Sequence, residues 1–260
     1  MAKARRLGPR ILVETGEHER SSKLAFQFAE HGIPDRIIRL TGGCGFMSPE
    51  DARKMKALED ALVRCYSGHL LFGGTQMRSI RNPDTIVPGI TEVAAAVRRR
   101  SNKVRLIGVI PKVNDLQSSP HGTVISVTEE PEKPDGGHFT VVHPDQEMAI
   151  IVQPSVDKSS IWDQERKRCA EVIGSLLERS WSTLLVVYNG GGVTKREVEH
   201  WAELGKSDPR WQVLLIKGSG RIADEFASNS AFLEEHPTIH VAECAEESIE
   251  ERLRDLLQIA

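Results

Sequence analysis

The chain has 260 residues, a formal net charge of −3, and 27% charged against 39% hydrophobic residues. That length suits one large α/β domain or two small ones, and the near-balanced charge excludes a protein held to nucleic acid or an anionic membrane by bulk attraction. No apolar stretch approaches the ~20 residues of a membrane span, and residues 1–10 lack the apolar core of a secretory signal.

The basic run from Lys3 to Arg10 reads as a solvated tail, and residues 11–13 as a short buried strand. Residues 21–31 read as a helix, with Leu24, Phe26, Phe28 and Ala29 apolar and Gly32 as its stop. The next strand, residues 36–40, runs into Thr41-Gly42-Gly43. Ser48-Pro49-Glu50-Asp51 is a helix start: a capping hydroxyl, a proline at the first position, then two acids. That helix is expected to reach about residue 66. Residues 69–72 form a strand that feeds Gly73-Gly74-Thr75. A polar loop, residues 76–84, precedes a helix from 88 to 100, whose closing Arg98-Arg99-Arg100 suits the helix dipole. Residues 105–110 are another strand.

The stretch from about 111 to 146 is rich in proline, with two short β-rich pieces at 123–127 and 139–142, and reads as an insertion carrying a hairpin or lid. The α/β rhythm then resumes. Strands are expected at 148–152, 183–188, 212–216 and 238–241, and helices at 164–179, 195–204 (ended by Gly205), 222–227 and 246–258. The strand at 183–188 ends in Asn189-Gly190-Gly191-Gly192, with Thr194 beyond, and the next in Gly218-Ser219-Gly220-Arg221. Strands that are continuous apolar runs, alternating with helices, imply one Rossmann-like, doubly wound α/β domain with a mostly parallel sheet and a β-rich insertion. Its ligand is expected at the carboxyl ends of the strands, where glycine loops present free N–H groups and helix starts to an anion.

The residues assigned to that site are Thr41, Gly42, Gly43, Gly73, Gly74, Thr75, Arg78, Gly190, Gly191, Gly192, Thr194, Gly218, Ser219, Gly220 and Arg221. Backbone amides would hold a diphosphate, Arg221 would add a bidentate contact, and Thr75 and Thr194 would supply hydroxyls. Arg78 and Arg81 are alternatives as phosphate clamps or solvated surface. His138, Glu92 and Lys217 are weaker candidates with structural explanations of their own. The glycines of residues 190–192 are not a Walker motif, because no Gly-Lys-Ser/Thr follows. Cys44, Cys65, Cys169 and Cys244 are widely spaced, which points to reduced thiols in a cytoplasmic protein and to neither a zinc site nor a disulfide framework. Cys44 stands apart, because it lies in a glycine loop near a helix start, where a thiol pKa falls.

Thr41-Gly42-Gly43 with Phe46, then Leu71-Phe72-Gly73-Gly74-Thr75, resembles the start of the SLOG (LSDAT) domain of melastatin-type TRP (TRPM) channels. Gly218-Ser219-Gly220-Arg221 with Ala223-Asp224 is similar to that family's Gly-Ser-Gly-Arg-x-Ala-Asp segment, and Asp135-Gly136-Gly137-His138-Phe139 is a weaker echo of its His-Phe segment. The match runs from about residue 36 to 227, without a channel, as in a free-standing prokaryotic-type relative. The resemblance implies a sensor that binds ADP-ribose or an NAD-like nucleotide, with no further cofactor and no metal. It also implies a homodimer, since such domains often pair, and a separate effector protein. The chain departs from the family after Gly74, where residues 76–88 precede the helix.

The SLOG superfamily also contains LOG phosphoribohydrolases, with the motif Pro-Gly-Gly-x-Gly-Thr-x-x-Glu. The segment from Asn189 to Glu197 aligns with two changes, and this places Glu197 at the catalytic carboxylate position. Glu197 would then serve an N-glycosidase by stabilising an oxocarbenium-like ribose or activating water. The alternative is a glutamate that simply suits the first turn of a helix.

Overall fold

The computed structural model describes residues 3–7, 10–15, 36–43, 47–111, 117–132, 135–152, 161–177 and 182–258. The expected helix at 21–31, Cys44 and Phe46 lie outside these residues. The chain starts with β1 (Lys3–Leu7) and β2 (Arg10–Thr15), which pair antiparallel. The basic run is therefore an edge strand in its first half, where the sequence suggested only a tail. The charge of this run hid the strand, which pairing with β2 selects.

β3 (Arg36–Gly42) is followed by α1 (Pro49–Cys65), whose start is built as the sequence implies. Ser48 Oγ accepts from the Asp51 amide at 3.0 Å and donates to Asp51 Oδ2 at 2.8 Å. β4 (Gly68–Phe72) and then β5 (Thr75–Ser79) follow. β5 replaces part of the expected polar loop. Its sequence, Thr-Gln-Met-Arg-Ser, has little strand signal of its own and is held by β9, much later in the chain, and by a bridge from Arg78 to Ile86. After α2 (Ile90–Arg100) and β6 (Val104–Pro111) come β7 (Gln117–Ser119), β8 (Gly122–Glu129) and β9 (Gly137–Val142). These three and β5 form a separate antiparallel sheet in the order β5-β9-β8-β7. The insertion thus supplies three of the four strands of a small sheet that also recruits a strand from outside it.

The remaining elements are β10 (Met148–Val152), α3 (Ile161–Leu177), β11 (Ser182–Tyr188), α4 (Gly192–Ser207), β12 (Trp211–Lys217), α5 (Arg221–Ala227), α6 (Ser230–Glu235), β13 (Ile239–Glu243) and α7 (Glu246–Leu257). Gly205 does not stop α4. It lies inside the helix because a side chain there would collide with Thr238 and the Trp211 carbonyl. The main sheet has nine strands in the order β1-β2-β10-β6-β4-β3-β11-β12-β13, and every pair except β1–β2 is parallel.

Alternate residues of each central strand serve opposite faces. Ile37, Leu71, Ile107, Leu185 and Val213 pack with Ile173 of α3, Trp201 of α4 and Phe226 of α5. Ile38, Leu70, Leu106, Leu184 and Leu214 pack with Leu58 of α1, Val93 of α2 and Leu253 of α7. Both faces of the sheet are thereby covered, as parallel strands require. The chain runs outward from β3 on one side, then returns at β11 to run outward on the other. The boundary between β3 and β11 is the switch point, where the connections diverge and leave a crevice.

Candidate functional site

A cavity of about 440 Å³ opens at that switch point. Its size lies in the range of small-molecule sites. Thr41, Gly42 and Gly43 reach it from the end of β3, Gly73 and Thr75 from the end of β4, and Gly191, Gly192 and Thr194 from the loop after β11. Arg221, at the start of α5, joins them. Three of the four glycine loops thus meet, with one side chain from the fourth. Thr128, His138 and Thr140 line the opposite side, so the small antiparallel sheet forms a wall of the cavity.

Backbone packing explains several of these glycines. A Cβ on Gly42 would overlap the Tyr188 carbonyl, because β3 and β11 are in register up to that point. Gly74 has φ +64° and packs on Gly108 and Ile110 of β6, outside the lining. Gly73 faces open space. Gly190 also lies behind the lining, where it packs against Thr194. Asn189 holds this loop to the next one. Its amide donates to Ser219 Oγ at 2.8 Å, its Nδ2 to the Ser219 carbonyl at 2.7 Å, and its Oδ1 accepts from the Gly190 amide at 2.9 Å. No side chain caps the start of α4 at Gly191, so the helix's first amides lack a side-chain acceptor.

The fourth loop is arranged differently. The Gly218 and Gly220 amides donate to the Asp224 carboxylate at 2.6 and 3.1 Å, and the Ser219 amide to the Ile216 carbonyl at 3.3 Å. Gly218, Ser219 and Gly220 do not line the cavity, and their donors are occupied. Arg221 is exposed, with φ +48°, a left-handed conformation that a non-glycine side chain adopts at a cost of about 1–3 kcal/mol. Its guanidinium extends over Gly191, 3.1 Å from where a Cβ would stand. Arg78 points elsewhere and donates to the Pro83 carbonyl at 2.8 Å. Arg81 donates to the Pro131 carbonyl, Lys217 pairs with Glu243 at 3.0 Å, and Glu92 accepts from Gln76 at 3.0 Å and lies 3.3 Å from His143. None of these four reaches the cavity lining.

The floor holds what sequence reasoning missed. Arg39, inside β3, donates from Nε to Glu197 Oε1 at 3.0 Å and pairs through Nη2 with Glu165 Oε1 at 2.9 Å. All three residues line the cavity and are at most 3% exposed. Burial pushes the Glu165 carboxyl up to about 7; Arg39 opposes that shift and Glu197 reinforces it. Burial disfavours the Arg39 charge, but the two carboxylates outweigh it and hold the guanidinium ionised. Arg39 Nη1 is buried without a partner among the described residues. An arginine within an apolar run was the available signal, since a buried strand carries such a residue only for partners or function. Cys65 and Cys169 are buried free thiols, raised by burial to about 11 and about 12, and Cys244 is a partly exposed one.

These features define a Rossmann-like α/β domain with a ligand-sized cavity at its switch point. Among the described residues no helix is long and apolar enough to cross a membrane. Solved structures of similar fold include the molybdenum cofactor carrier protein MCP from Chlamydomonas reinhardtii, with 14% sequence identity, 86% of this chain and 98% of that chain covered, and a TM-score of 0.49. The molybdenum cofactor binding protein from the phototrophic bacterium Rippkaea orientalis shares 13% identity, with 85% and 97% covered and a TM-score of 0.46. No protein-family model and no curated protein matches the chain.

Proposed function

We propose that this protein binds a nucleotide-derived ligand of the ADP-ribose or NAD type in the switch-point cavity and acts as a ligand sensor. The observation that carries this reading is the uncapped start of α4 facing the same cavity as Gly42, Gly43, Gly73 and Arg221. Free helix-start amides, close backbone approach and one guanidinium together suit a phosphate or diphosphate. The loops at 41–43 and 73–75, together with Arg221, also carry the SLOG resemblance. A homodimer and a separate effector protein complete the sensor.

The test is calorimetric titration with ADP-ribose, NAD, AMP and molybdenum cofactor, followed by chromatography of each mixture. Heat with an intact nucleotide, lost in Arg221→Ala, supports the proposal. Absence of heat with every nucleotide overturns it. The second reading is an N-glycosidase that uses Glu197, favoured by the position of that carboxylate in the cavity floor. It requires free base to appear with wild type and not with Glu197→Ala.

A further inference from the structure

Away from the cavity, His236 turns a ring nitrogen towards two carboxylates. Its side chain, just after α6, is 4% exposed, and its ring packs on Phe232 with centroids 4.4 Å apart. Nδ1 lies 2.9 Å from the Phe232 carbonyl. A carbonyl only accepts, so Nδ1 carries the proton of the neutral ring and Nε2 presents its lone pair. That lone pair faces Glu203 Oε1 of α4 at 3.5 Å. Two acceptors facing each other make no hydrogen bond; they call for a cation between them. Glu235, the last residue of α6, adds a second carboxylate, and one ligand atom from each of the three residues lies within 4.8 Å of the others.

Lys206 accounts for part of the cluster. Its Nζ donates to Glu203 at 2.9 Å and to Glu235 at 2.7 Å, and it holds both carboxyls below the usual carboxylate range. Both are therefore ionised at neutral pH, as metal ligands must be. Among the described residues, however, no donor reaches His236 Nε2. The side chains of Glu203, Glu235 and Lys206 are exposed. The glutamates can close to the separation of about 3.3 Å that tetrahedral zinc needs, and the ammonium can swing out to solvent.

We propose that Glu203, Glu235 and His236 bind a divalent first-row transition metal, zinc above all, with water in the remaining position. One imidazole nitrogen and two carboxylate oxygens suit that ion, whereas magnesium and calcium seek shells of oxygen alone. The Nδ1 contact to a backbone carbonyl is the outer-shell bond that orients a ligating histidine. The ion would tie α4 to the end of α6. None of its ligands lines the switch-point cavity, so the site stands independently of the nucleotide reading.

Calorimetric titration of the chelator-treated full chain with zinc chloride at pH 8 tests the site. Wild type should bind one ion through these ligands, and magnesium chloride should give no matching heat. Glu235→Gln changes an exposed side chain and should weaken zinc binding about tenfold or more. Lys206→Ala should tighten it severalfold, because the ion no longer displaces an ammonium. If the cation on His236 is only a second proton, wild type binds no zinc, and the proposal is overturned. Zinc affinity left unchanged by Glu235→Gln also overturns it, since the ion then sits elsewhere, for instance on a thiol.

Discussion

Replacing Glu165 by glutamine should change how stability depends on pH in a way that isolates this one carboxyl. Glu165 is 3% exposed, and its folded-state value is raised from 4.5 to about 7. Because the shift is upward, the folded protein keeps the proton while the unfolded chain releases it. The stabilising term is therefore fully present below pH 4.5, declines as pH rises towards 7, and is absent above. A shift of about 2.5 units corresponds to roughly 3 kcal/mol at full development, of which about 2–3 kcal/mol falls between pH 5 and pH 8. Glutamine mimics the protonated acid in shape and does not titrate. Urea denaturation of wild type and Glu165→Gln at both pH values should show the variant gaining that much relative to wild type at pH 8. The other carboxyls titrate alike in both proteins and cancel in the difference. A difference between the two proteins that stays flat from pH 5 to pH 8, or one that favours wild type at pH 8, would refute the assignment of a buried, proton-holding Glu165.

Arg221→Gly should raise stability by about 1 kcal/mol by removing a side chain from a left-handed position, and weaken phosphate-ester binding by about 1.5–3 kcal/mol; thermal melts and calorimetry read the two effects separately. Gly42→Ala forces a methyl group into the Tyr188 carbonyl between two central strands, and should cost more than about 3 kcal/mol, seen as a collapse of the denaturation midpoint. Asp224→Ala strips the acceptor from two loop amides; it should cost about 1–3 kcal/mol of stability while leaving ligand affinity close to wild type, because those amides do not face the cavity. A large loss of affinity in Asp224→Ala would mean that the fourth loop has been assigned to the wrong side.

The parallel sheet was legible because its strands are buried on both faces. Ile37, Ile38 and Leu40, or Leu70, Leu71 and Phe72, leave no polar face for solvent, and the glycines that follow each run mark its carboxyl end. Three of the glycine loops could be assigned to one crevice on that basis. The small sheet was less legible. β5 is polar, and it is extended because β9 and the segment at Ile86 pair with it. Arg39 illustrates a different limit. Its partners come from helices far along the chain, and Glu165 and Glu197 look like ordinary helix-surface acids until the fold turns them inward. Asp224 shows the reverse case. The Gly-Ser-Gly-Arg-x-Ala-Asp segment reads as a phosphate loop, yet its own aspartate takes two of its amides.

The strand order also governs when the site comes into being during synthesis. β3 is made early and contributes Gly42 and Gly43, but its neighbour β11, with Gly191 and Gly192 beyond, emerges only after the whole first wing and the small sheet have been translated. At ribosomal rates of about 5–20 residues per second, that interval is on the order of ten seconds. Throughout it, one flank of β3 is an open sheet edge of apolar residues with nothing to pair with. No ligand can protect that edge, because the cradle that would hold one does not yet exist. The nascent chain must rely on slow exposure or chaperone cover until β11 arrives to pair with that edge, and the site is complete only when Arg221, beyond β12, follows.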